Sequence, residues 1–75
     1  MNRSQFLRQL DELLELEPGT LKGDEVLAEL DGWGSLALLG YMGIVNENFG
    51  LIVSPAQISS CSTVDDLLAL AHCPV

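Results

Sequence analysis

The chain has 75 residues, 48% of them hydrophobic, with a formal net charge of −8. A chain this short buries only about 60% of its unfolded surface, so it is expected to make one domain spanning residues 1–75 with an economical core. The apolar content excludes a disordered acidic tail, and the acidity excludes a surface made for phosphate backbones, so no nucleic-acid partner is expected.

Arg3, Arg8 and Lys22 are the only strong bases, and from Gly23 onward there are seven acids and no Lys or Arg. Such a surface is attracted to basic patches on other proteins. No apolar run approaches the roughly 20 residues of a membrane span, because Gly40 and Gly43 interrupt the run from Leu36 to Val45. Met1-Asn2-Arg3-Ser4-Gln5 is followed by no apolar signal core, so a soluble cytoplasmic protein without a membrane partner is expected. Cys61 and Cys73 read as reduced, packed thiols, and His72 beside Cys73 is too small a set for a metal site.

In chain order, Phe6, Leu7, Leu10, Leu13 and Leu14 recur at helical spacing from Arg3 to Leu16, with Arg8, Asp11, Glu12 and Glu15 on the other face. Pro18-Gly19 is expected to end that helix. Residues 17–34 make an unusually long connection, tucked in by Leu21, Val26, Leu27 and Leu30, with a single turn near Val26 to Leu30. Asp31-Gly32-Trp33-Gly34 predicts a tight bend, and Trp33 should be partly buried against the loop.

Ser35 is expected to open the second helix as its N-cap, and Gly50 to close it in a left-handed conformation. Leu38, Leu39, Met42, Val45 and Phe49 form the expected buried stripe, leaving Ala37, Gly40, Gly43 and Asn46 outside. Ser54-Pro55 predicts a short third helix to about Ser59. Thr63 with Asp66 resembles a capping box for a last helix reaching about Ala71 and burying Val64, Leu67, Leu68 and Ala71. The expected class is an all-α four-helix bundle with a long first loop and a short third helix.

The stretch Leu30-Asp31-Gly32-Trp33-Gly34-Ser35-Leu36-Ala37-Leu38-Leu39 resembles the attachment motif of acyl carrier proteins, in which Asp-Ser-Leu opens the second helix, often preceded by Gly-Trp. Asn46-Glu47-Asn48-Phe49-Gly50 with Ile52 resembles the acidic Phe-Gly-Ile close of that helix. Thr63-Val64-Asp65-Asp66-Leu67 is similar to the Thr-Val-x-Asp-Leu start of the family's last helix. The motifs are short, but they occur in the right order over nearly the whole chain.

The resemblance implies an acyl-carrier-like four-helix fold in which Ser35 receives 4'-phosphopantetheine from coenzyme A, delivered with magnesium by a phosphopantetheinyl transferase. Acyl groups would then ride as thioesters between acyl-loading and acyl-transferring enzymes of fatty-acid, polyketide or related synthesis. It implies no catalytic residues in the carrier itself, and a monomer suits such shuttling. The physical chemistry of the position agrees: a serine at a helix N-terminus sits where unpaired N–H groups and the dipole favour a phosphodiester. A long arm also keeps its cargo at high effective concentration near a docked enzyme.

Two departures bear on this reading. Position 34 is Gly, where the family has an Asp that contributes to recognition by the transferase. Gly34 marks a tolerated variant, a carrier-like protein no longer modified, or an introduced substitution. The second helix is also poor in acids, with Glu47 alone between Ser35 and Gly50. The expected docking positions are Gly34, Leu36, Ala37, Gly40, Gly43, Ile44 and Glu47. They predict partners that depend less on salt bridges to this helix than fatty-acid synthase enzymes do.

Three other functions compete with this one. The same fold could be an unmodified interaction module binding a protein through Leu36, Tyr41 and Ile44, or a peptidyl carrier of nonribosomal synthesis with an identical arm. A serine hydrolase is excluded by the flanks of Ser35: the nucleophile elbow needs glycine at the positions held by Trp33 and Ala37.

Overall fold

The computed structural model describes residues 2–72. Four helices follow in order: α1 Arg3–Leu13, α2 Ser35–Phe49, α3 Pro55–Ser59 and α4 Val64–Leu70. A single 3-10 turn, Leu27–Glu29, interrupts the long connection between α1 and α2. The expected all-α bundle, with its long first loop and short third helix, is therefore what the chain forms. The only bridge of strand type among the described residues is an isolated pairing of Val26 with Thr63.

Local chemistry explains most boundaries. Asn2, Ser54 and Thr63 each accept the N3 backbone N–H of their helix, and Gln5, Gln57 and Asp66 return a bond to the cap, giving α1, α3 and α4 complete capping boxes. Pro55 at N1 of α3 loses no bond there. Gly50 ends α2 at φ 65°, donating its N–H to Asn46 O.

The end of α1 differs from expectation. It stops at Leu13 rather than Leu16, before Pro18-Gly19 is reached. Glu15 adopts a left-handed φ of 59°. The Leu16 N–H donates to Asp11 O and the Glu15 N–H to Glu12 O, a Schellman closure built on a residue other than glycine.

The core joins Phe6, Leu10, Leu21, Leu27, Tyr41, Val45, Ile58, Val64, Leu67 and Leu68, with Ala71 beneath the end of α4. Phe6 packs between Tyr41 and Phe49, with ring centroids 6.0 and 5.8 Å away, while Leu13 lies against Gly40, so α1 and α2 run antiparallel. The first loop is fastened to the start of α4 by backbone bonds: Leu27 N–H to Ser62 O, Val64 N–H to Glu25 O and Asp65 N–H to Gly23 O. Cys73 lies outside the described residues; Cys61 is a free thiol, half-buried.

Two residues expected on the polar surface are core members. Asp11 is 1% exposed, its carboxylate accepting the N–H groups of Gly19 and Leu21 at 3.0 Å each. Tyr41 is fully buried and its hydroxyl donates to Leu67 O in α4. A polar group can sit in a core when its partners are supplied, and here the loop and α4 supply them.

Candidate functional site

The bend before α2 is made as expected. Gly32 takes a left-handed φ of 87° close to the backbone of Leu14, and the Trp33 N–H donates to Leu30 O at 3.3 Å. Trp33 is half-buried against the core. Gly34 is the N-cap, in extended conformation at φ −167°, so Ser35 is the first helical residue and not the cap.

This correction matters for Ser35. An N-cap serine would be explained by its structural role, worth about 0.5–2 kcal/mol. Ser35 does not have that role: it is exposed and its hydroxyl makes no hydrogen bond among the described residues. Glycine has no side chain to cap with, so α2 is the one described α-helix whose first turn receives no side-chain acceptor. Ser35 thus stands at the same helix end as these open N–H groups and the positive end of the longest helix dipole in the bundle.

Trp33 and Leu38, which flank Ser35 in the chain, line a cavity of about 300 Å³ together with Leu27, Ala28, Ile58, Ser59 and Cys61. Burial, and to a smaller extent the charge of Asp66, pushes the Cys61 thiol above its usual pKa, so it is a poor nucleophile. Leu38 of α2 and Ile58 of α3 line it. Leu39 points out of it at 60% exposure, and Leu68 belongs to the core.

The outward face of α2 is rotated relative to the expected stripe. Ala37, Tyr41 and Val45 are the buried row, with Leu38, Met42, Ile44 and Phe49 half-buried beside it. Ala37 therefore offers no docking surface, and Tyr41 none for an interaction module. Gly40 is also partly withdrawn, because a Cβ there would collide with the Leu13 side chain. Gly34, Leu36, Gly43 and Glu47 are exposed as expected, and Ile44 is half-buried. The residues missed are Leu39 and Ile52, 60% and 88% exposed. Helical spacing from Leu36 to Leu39 and Gly43 was the available signal for the first of these.

Among the described residues, no group of three or more His, Cys, Asp or Glu side chains could hold a metal ion. No helix among them is long and apolar enough to cross a membrane. Comparison with protein-family models, with curated proteins and with solved structures returned no significant match.

Proposed function

We propose that the chain is an acyl-carrier domain, with Ser35 as the attachment point of a 4'-phosphopantetheine arm. The observation that carries this reading is the Ser35 hydroxyl itself. It is exposed, makes no hydrogen bond among the described residues, and stands at the only described α-helix start without a side-chain cap. The motif resemblance around it adds the chemistry expected at such a position.

The residues present suit the group. The oxygen of Ser35 would take the phosphoryl end of the arm as a phosphodiester, with the leaving nucleotide departing and the hydroxyl proton passing to the transferase. The N–H groups opening α2 would meet the negative charge left on the phosphodiester. When bound, the arm supplies a terminal thiol that carries acyl groups as thioesters. Gly34 leaves the approach open, with no heavy atom within 4 Å of where a Cβ would stand. The partly apolar cavity at Trp33 and Leu38 gives a short apolar cargo somewhere to lie out of water.

Gly34 favours a second reading, a bundle of the same shape that binds partners unmodified. One experiment separates them. The purified protein is incubated with coenzyme A, magnesium and a promiscuous phosphopantetheinyl transferase, and its intact mass is measured beside Ser35→Ala and Gly34→Asp. A gain of one phosphopantetheine, absent in Ser35→Ala, is expected. No gain in the parent but a gain in Gly34→Asp makes the parent an unmodified module on a carrier's scaffold. No gain in either chain overturns the carrier reading.

A further inference from the structure

Helix α2 contains two interior glycines, and the molecule itself explains only one. At Gly40 a Cβ would strike the Leu13 side chain, so glycine is what lets α1 approach. At Gly43 no atom lies within 4 Å of the place a Cβ would take, and φ is the ordinary helical one. Glycine loosens a helix interior, so a position that needs neither its small size nor its φ for folding is a cost without an internal return.

Gly43 opens instead onto a hollow of about 250 Å³, walled by Met42, Asn46, Leu51, Ile52 and Val53. Ile52 on its rim is 88% exposed. One and two turns toward Ser35 stand Leu39 and Leu36, 60% and 85% exposed, at the i−4 and i−7 positions of the same face. Three of the four large hydrophobics exposed among the described residues thus border one strip, which runs about 12 Å along the axis from Ser35 to Gly43. An enzyme docked along this face of α2 while reaching the Ser35 hydroxyl would cover this strip.

Charge selects the occupant. A second copy would bring another net −8, and Glu47, one turn beyond the hollow, would find no base on the partner α2. An anionic lipid surface is disfavoured in the same way, since the three bases lie on α1 and the loop after it, with Arg3 already paired to Asp65. A protein presenting an apolar side chain on a net-basic surface suits both the hollow and the field around it.

We propose that the Gly43 hollow receives an apolar side chain of the enzyme that acts on Ser35, which, resting on the carrier reading, is the phosphopantetheinyl transferase. Glycine at position 43 leaves that hollow open.

The test is steady-state loading by the transferase, in the parent chain or in Gly34→Asp if only that chain loads. Gly43→Leu, which fills the hollow, is expected to raise the KM for the carrier about tenfold with kcat little changed. Gly43→Ala is expected to raise KM by a smaller factor while raising the melting temperature by roughly 4–8 °C, so that lost binding cannot be ascribed to lost fold. Ala69→Leu, on the exposed side of α4, is the control and should leave KM unchanged. Loading with an unaltered KM in Gly43→Leu overturns the inference while leaving the carrier reading intact. Self-association of the parent that Gly43→Leu abolishes assigns the hollow to a second copy and also overturns it. Absence of loading in every background removes the carrier reading and this inference together.

Discussion

Around the first loop, two carboxylates hold four backbone N–H groups: Asp11 takes those of Gly19 and Leu21, and Glu25 takes those of Lys22 and Gly23. Arg3 adds a clamp, donating to Lys22 O at 2.7 Å and pairing with Asp65 at 2.6 Å. At the start of α2 the chain does the opposite, with first-turn N–H groups that no side chain accepts and a serine hydroxyl that bonds nothing. The first region would be a floppy strap without its carboxylates. The second is held in place by Gly32, Trp33 and the buried row of α2, so it can keep its polar groups open without losing its position. Rigidity at one place thus permits chemical availability at another, a division expected where a site is displayed on a scaffold.

Breaking the first region should have the largest effect. Asp11→Ala leaves a buried Leu21 N–H and a part-buried Gly19 N–H without partners, so stability should fall by about 2–4 kcal/mol. Denaturant unfolding followed by circular dichroism measures it. If the loss is below ~1 kcal/mol, water replaces the carboxylate freely and the loop is not pinned there. Ser35→Ala, by contrast, should abolish loading and move stability by no more than about 0.5 kcal/mol, because it removes an exposed, unbonded hydroxyl.

Next come the two glycines of α2, which should respond with opposite sign. Gly40→Ala gains helix propensity but pushes Leu13 out of place, and a net loss of about 1 kcal/mol is expected. Gly43→Ala meets nothing and should gain about 0.8–1.0 kcal/mol. Equal gains at both sites would mean that Leu13 moves aside at no cost and that α1 does not set the spacing.

The loop should also respond to acid, by a smaller amount. Burial pushes the Glu25 carboxyl up, but the N–H groups of Lys22, Gly23 and Glu25 itself outweigh it and hold its pKa below the usual range. A depressed folded-state pKa means that the unfolded chain takes up protons first as the pH falls. The contribution is therefore complete near neutrality and lost as the pH drops through the carboxylate range. Asp66 acts in the same direction, held down by the N–H groups of Ser62 and Thr63. The urea midpoint should fall between about pH 7 and pH 3.5, and Glu25→Gln should make that fall shallower. An unchanged slope in Glu25→Gln would place the acid sensitivity elsewhere.

Where local residues decide an outcome, the sequence was readable. Ser54-Pro55, Thr63 with Asp66, and Gly50 each carry their own geometry, and α3, α4 and the end of α2 lie where those residues put them. The end of α1 was hidden because its left-handed residue is Glu15, which carries no glycine signature, while Pro18-Gly19 marked a stop the helix never reached. The face of α2 was hidden for a different reason. Leu36, Leu38, Leu39, Tyr41, Met42, Ile44 and Val45 make it apolar nearly all round, so periodicity selects no single side. Only distant partners fix its rotation, namely Leu67 O for Tyr41 and Leu13 for Gly40. Asp11 was misplaced by its charge, although its position between Leu7 and Leu14 on the helix already set it against the apolar side. Ser35 was found by motif, but its freedom from capping duty could be seen only once Gly34 took the cap.

Closing the open end should change stability only modestly, and it is the change that sharpens the contrast most. Gly34 is extended, with space around it, so Gly34→Asp needs no rearrangement and its carboxylate can accept the N–H groups that α2 now leaves open. Because glycine is itself a tolerable N-cap, the gain should be only a few tenths of a kcal/mol, plus a dipole contribution of about 0.3–1 kcal/mol at low salt. Loading by the transferase should rise at the same time, and the two readouts need not move together. If loading rises while the melting temperature stays still, the carboxylate acts on the enzyme and the helix start was already settled. If stability rises and loading falls, the carboxylate competes with the incoming phosphodiester for the same N–H groups, and the open helix start in this chain is itself what draws the arm to Ser35.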